Sequence, residues 1–173
     1  MGGVLFKLNT AGKLTVLHNF GHGNDGSFPV AGVIRDSGGN LYGTTTSDGV
    51  SFFGIVYKVS PTGNETVLHS FVNKQGEGQN PMGGLVRDAS GNLFGTTASG
   101  GDLTSCAGRP TPGCGTVFKI HPTGNETVLH LFRDSNDGST PLATLFRDSV
   151  GNLYGTAAND GANGFGVFFK VAP

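Results

Sequence analysis

The chain has no tryptophan, only two cysteines and two methionines, and charged residues fill 13% of its 173 positions. Globular proteins carry about twice that charge, so long helices with solvated charged faces are not expected. Eleven Lys+Arg against twelve Asp+Glu leave a net charge of −1. With no basic patch to neutralise phosphates, nucleic acid is not an expected partner. The longest apolar runs, 52–57 and 166–169, fall far short of the ~20 residues of a membrane-spanning helix, so no membrane insertion is expected. The opening residues lack a charged segment followed by an apolar one, so no signal peptide is read there. No G-x-S-x-G, H-E-x-x-H, P-loop or Rossmann pattern occurs, and no paired carboxylates stand out. No catalytic residue, metal set or cofactor is read from the chain, and the expectation is a protein that is not an enzyme.

What the chain does have is glycine, 31 of them, and 13 phenylalanines, arranged periodically. Gly3-Val4-Leu5-Phe6-Lys7-Leu8 returns as Gly54-Ile55-Val56-Tyr57-Lys58-Val59, Gly115-Thr116-Val117-Phe118-Lys119-Ile120 and Gly166-Val167-Phe168-Phe169-Lys170-Val171. A unit of about fifty residues indicates a propeller, solenoid or array. The units run roughly 3–53, 54–114 and 115–165, with a closing strand at 166–173, inside one repeat domain, 1–173. Because the first unit opens in mid-repeat, the chain reads as a mature, excised or incomplete piece of a longer protein.

Each unit holds four short runs rich in β-branched and aromatic residues, too short for helices. In the middle unit these are residues 84–88, 92–97, 116–120 and 126–132, designated A, B, C and D. Asp88-Ala89-Ser90-Gly91-Asn92 joins A to B, and Ser60-Pro61-Thr62-Gly63-Asn64 and His121-Pro122-Thr123-Gly124-Asn125 join C to D. Asp, Pro and Gly at these places specify tight hairpins. The B–C and D–A connections are long and variable, so one face is trimmed and the other carries the variation on which function concentrates. Strand B is apolar on both sides (Leu93 and Phe94, Leu41 and Tyr42, Leu153 and Tyr154), as a strand between stacked sheets must be. The expected fold is all-β, a β-propeller-like array of four-stranded antiparallel meander blades, about three per chain. The strand order C-D, A-B-C-D, A-B-C-D, A-B-C leaves one spare C and cannot close a ring of the usual ~4–8 blades.

Cys106 and Cys114 bracket a Pro/Gly-rich insertion in the middle unit. Eight positions apart, they are expected to close a small disulfide ring, which fits an oxidising compartment.

The phrases Gly115-Thr116-Val117-Phe118-Lys119-Ile120, Glu126-Thr127-Val128-Leu129-His130 and Asp88-Ala89-Ser90-Gly91-Asn92-Leu93-Phe94-Gly95-Thr96-Thr97 resemble the GloVer tandem repeat. That family comprises bacterial surface or secreted proteins, often anchored at the C-terminus. The resemblance extends over nearly the whole chain and implies an extracellular repeat array with no catalytic residues to carry over. The Asp-x-x-Gly-Asn turn after strand A is also distantly similar to NHL-type propeller blades.

Polar residues that recur copy by copy are expected to be structural, since a unique active site appears once. These are His18, His69 and His130 in strand D, Lys7, Lys58, Lys119 and Lys170 in strand C, and Arg35, Arg87 and Arg147 in strand A. A cross-strand or inter-blade ion pair is the expected role of the lysines and arginines. Asp134-Ser135-Asn136-Asp137-Gly138 and its echo Asn24-Asp25-Gly26 lack the full calcium-loop spacing and read as turns. Asn64 and Asn125 head formal glycosylation sequons on exposed turns. The leading functional expectation is a non-enzymatic extracellular structural or adhesive module that self-assembles as an oligomer or filament. An alternative is a glycan-binding propeller using Phe28, Phe52, Phe53, Asp160, Asn163 and Phe165 on the long-loop face, where rings stack on sugars and amides bond them. A propeller-type hydrolase or lactonase is a third reading, distinguished by non-equivalent metal ligands from several blades.

Overall fold

The computed structural model describes residues 2–108, 112–133 and 136–173. Arg109 to Thr111 of the cysteine insertion, and Asp134 and Ser135 of the acidic turn, lie outside the described residues. The fold is all-β, and the meander order is the expected one. The first sheet pairs β1 (Val4–Leu8) with β2 (Leu14–Asn19). The second runs β3 (Ile34–Arg35), β4 (Leu41–Thr45), β5 (Ile55–Val59), β6 (Glu65–Ser70). The third runs β8 (Val86–Arg87), β9 (Leu93–Thr97), β11 (Thr116–Ile120), β12 (Glu126–Leu131), and the fourth β13 (Phe146–Arg147), β14 (Leu153–Ala157), β15 (Val167–Val171). Each neighbouring pair is antiparallel. A small ribbon, β7 (Gly78–Gln79) against β10 (Ser99–Gly100), laces a D–A loop to the cysteine-bearing B–C loop. Single bridges do the same at the equivalent places of the other units, Ser27 with Ser47 and Ser139 with Asn159.

The core is not one mass. It consists of three layers, each between successive blades. Leu5, Phe20, Ile55, Tyr57 and Val59 fill the first, and Tyr42, Val56, Phe71, Leu85, Leu93, Phe118 and Ile120 the second. Phe94, Cys114, Val117, Phe132, Leu145, Leu153 and Ala157 fill the third. Strand B does face two layers: Leu93 enters the second and Phe94 the third. A recurring ring pair marks each layer. The Phe ending strand D of one blade meets the strand C aromatic of the next: Phe20 with Tyr57 at 4.8 Å, Phe71 with Phe118 at 5.2 Å and Phe132 with Phe169 at 5.1 Å.

Two backbone devices make this packing possible. Strand B has Gly43, Gly95 and Gly155 directly across from Tyr57, Phe118 and Phe169. At Gly95 a Cβ would come within 2.6 Å of the Phe118 ring, so the ring occupies the space a side chain would need. Strand D carries a β-bulge in every complete C–D hairpin, with the register slipping between Leu5/Phe6, Val56/Tyr57 and Val117/Phe118. A bulge sets two consecutive residues against one partner and re-aims a side chain. Leu68 therefore packs on the same layer as Val56, the cross-strand partner of His69.

Candidate functional site

The long-loop face is held together by residues in strained conformations. Phe28, Asn80 and Thr140 each precede a proline with φ of 57°, 56° and 56°, a region that non-glycine residues seldom enter. The cost is offset because their carbonyls accept the backbone N–H of Thr46, Ala98 and Ala158, pinning each D–A loop to a B–C loop. Between these loops opens a cleft of about 730 Å³ lined by Thr46, Asn80, Ser99, Thr140, Asn159 and Asp160 among others.

Of the six residues singled out for sugar contact, Asp160 lines that cleft, where its carboxylate accepts a hydrogen bond from Ser139. Phe28 (47% exposed), Phe52 (73%) and Phe165 (92%) project elsewhere on the surface, and Asn163 is exposed. Phe53 is partly buried against the second core layer. The structure thus does not bring the six into one pocket. Phe53, Cys114 and Phe165 each immediately precede the strand C glycine and are one repeat position. Phe53 packs inward, Phe165 is almost fully exposed, and Cys114 is fully buried in the third layer and disulfide-bonded to Cys106. Asn64 and Asn125 stand exposed on their tight turns.

The repeated polar residues form knots between blades. Each strand D histidine donates from Nε2 to an acid in its own D–A loop: His18 to Asp25, His69 to Glu77 and His130 to Asp137, all at 3.2 Å. Its ring edge abuts the Phe two residues on, at 4.6, 4.8 and 4.7 Å. Asp25 also accepts the N–H groups of Gly21 and His22, which explains the Asn24-Asp25-Gly26 turn without an ion. The first residue of the next strand D closes two of these knots. Burial, reinforced by the Asp25 charge, pushes the Glu65 carboxyl up to about 7, and burial with Glu77 pushes Glu126 up to about 8. The sequence signal for these partners was an acid seven or eight positions after each histidine. It is missed when histidines are compared only with one another.

On the tight-turn face, Arg87 lies over the Tyr42 ring and Arg147 over Phe94, each 5.9 Å from the centroid. Hydrogen bonds from Asn40 and Tyr42, with the Arg87 charge beyond them, hold Asp36 down at about 2. Arginine thus links blade to blade by stacking on a ring beside an aspartate. Among the described residues the repeated lysines show no such pairing; Lys170 lies 5.7 Å over the ring of Tyr154 on the neighbouring strand.

The two end sheets expose what the inner blades bury. Phe6 (53% exposed) and Leu8 (61%) are repeat equivalents of Tyr57 and Val59, which are 1% and 0% exposed. Val4, Leu14 and Val16 extend this apolar face across β1 and β2. At the other end Phe168 (72%) replaces the fully buried Val56 and Val117, and with Phe146 and Tyr154 it forms a run of three rings spaced 6.1 Å apart. Beside β1, where an inner blade would place strands A and B, lies a gap of about 620 Å³ lined by Phe6, Leu8, Leu17, Val33, Arg35 and Leu41.

Among the described residues no helix is long and apolar enough to cross a membrane. Comparison with solved structures finds the same architecture in an X-ray structure of a protein provisionally assigned as a gluconolactonase, at a TM-score of 0.51 and 14% identity. The match covers 98% of this chain and 57% of that one, so the chain spans little more than half of its relative. No curated protein sequence matches. The family comparison matches the Gloeobacter/Verrucomicrobia repeat over residues 1–169, the same stretch that carries the phrases, blades and knots described above, and the chain belongs to that repeat family.

Proposed function

We propose that the chain is a non-enzymatic extracellular module, structural or adhesive, that assembles with copies of itself through its two end sheets. The observation that carries this is the match between the ends. Val4, Phe6, Leu8, Leu14 and Val16 lie on the side that in the inner sheets meets the preceding sheet, and Phe146, Tyr154 and Phe168 on the side that meets the following one. In a blade shared between copies, the first set would face the neighbour's third sheet and the neighbour's second set would face this chain's second sheet. A contiguous apolar face of this kind promotes association. A neighbour's last sheet set beside β1 places Tyr154 and its aspartate Asp148 before Arg35, as Tyr42 and Asp36 stand before Arg87. The pairing is head to tail, so two copies close a six-bladed ring with one strand C per blade junction left over, and a rotation that misses closure gives a filament. The disulfide supports an oxidising, extracellular setting. The propeller relative contributes the fold alone, and no activity is carried over from it.

The test is light scattering and electron microscopy at micromolar concentration, with Phe6→Glu and Phe168→Glu. Both residues are exposed, so each variant should stay folded yet be monomeric alone, and mixing the two should restore one intact junction and yield dimers. A folded wild-type monomer, or variants that assemble as the wild type does, would overturn the reading. A second reading has one observation in its favour: the cleft around Asn80, Thr140 and Asp160 sets polar side chains in a largely apolar lining, which suits a glycan, and a glycan array screened against an Asn80→Ala control tests it.

A further inference from the structure

The knot between the second and third blades differs from its siblings in a way that goes beyond a structural hydrogen bond. His69 Nε2 lies 3.2 Å from Glu77 Oε1 and 3.9 Å from Glu126 Oε2, and the three donor atoms all lie within 4.8 Å of one another. Ligands around a tetrahedral ion at ~2.0–2.2 Å sit about 3.4 Å apart, so small side-chain shifts would gather all three on one centre. The side chains are 15%, 14% and 10% exposed. Glu126 also has its second oxygen, Oε1, buried with no hydrogen-bond partner. Glu65 of the preceding layer has the same unpartnered oxygen, so the convergence of three donor atoms is what sets the His69 group apart, and it is an arrangement that a bound cation would complete.

The chain supplies its own controls. In the preceding layer the set is His18, Asp25 and Glu65, and the shorter aspartate does not bring three donors together; among the described residues the His69 group is the one that does. In the last layer His130 and Asp137 have no strand D glutamate before them and stand 37% and 38% exposed. The β-bulge is what turns His69 toward the next blade, while Glu126, at the start of β12, pairs across from Ile120 and faces back toward it.

We propose that His69, Glu77 and Glu126 form a divalent transition-metal site, suited to zinc, that ties the second blade to the third. One imidazole nitrogen and two carboxylates match zinc, with water as the fourth ligand, whereas calcium and magnesium prefer all-oxygen shells. The ligands come from both sides of a core layer, so the ion acts as a staple and the function is structural, independent of how the ends assemble.

Titration calorimetry of chelator-treated full chain with zinc chloride tests this, alongside thermal unfolding with zinc, calcium or magnesium. The expected result is one zinc per chain and a raised unfolding temperature with zinc alone. Glu126→Gln keeps the shape of a protonated glutamate and so should fold. It should bind zinc at least about ten-fold more weakly, as should Glu77→Asp, which copies the preceding layer. Absence of stoichiometric zinc binding, or zinc binding unchanged in both variants, would overturn the site.

Discussion

At the residue scale, one repeat position shows how environment alone decides a side chain's role. Phe53, Cys114 and Phe165 are equivalents, yet one is wedged in a core layer, one is cross-linked in another and one is 92% exposed. The cysteine pair was legible from its spacing, but its burial was not, because the insertion hides the fact that Cys114 takes a phenylalanine's place. Joint replacement of Cys106 and Cys114 by serine should cost about 2–3 kcal/mol from the lost ring closure alone. A further loss of about 1–3 kcal/mol should follow from placing a hydroxyl at position 114 among Val117, Phe132 and Leu145. Denaturant unfolding of the variant, against wild type with and without reductant, separates the two: a reduced wild type should be less affected than the double serine chain.

At the element scale, the hairpins and strand order were readable because Asp, Pro and Gly punctuate them, whereas the bulge was not. Strict alternation would turn His69 to the same side as Val67; the slip between Val56 and Tyr57 turns it to the other. That single slip assembles the histidine–acid–glutamate knots, which is why sequence comparison of the histidines found only a structural role. The glycines opposite the strand C rings give a direct check. Gly95→Ala should destabilise the chain by about 1–3 kcal/mol through overpacking against Phe118, despite alanine's lower conformational freedom in the unfolded state. Gly124→Val should be worse, since φ is +88° there and a Cβ would meet the Leu68 carbonyl at 2.6 Å; circular dichroism melts rank the two. Glu65 supplies a pH test. Its carboxyl lies near 4.5 when unfolded and about 7 when folded, raised by burial and then by Asp25, so the folded state holds more protons in that window. Its contribution is full below pH 4.5 and lost as pH rises through about 7. With chelator present, the unfolding temperature should therefore drop between pH 5 and 8, and drop less in Glu65→Gln.

At the scale of the whole molecule, the blades are coupled only to their neighbours, and stability should be a sum over layers. The meander order of the sheets was legible from the strand pattern. The identity of the end faces was not, because Phe6 and Phe168 read like every other apolar strand residue until the missing neighbour is seen. This gives two phenylalanines opposite expected behaviours. Phe71 is fully buried and stacks on Phe118 in the second layer. Phe71→Ala should cost about 3–5 kcal/mol and uncouple the first two sheets from the last two, so that hydrogen exchange shows two separate protection steps. Phe168 touches no following blade and is 72% exposed. Phe168→Ala should leave the dilute chain as stable as the wild type while removing the rise of unfolding temperature with protein concentration that self-association produces. If the Phe168 change instead lowered the stability of the dilute monomer, the open face would have to be packed within the chain, and the three-layer account of its core would fail.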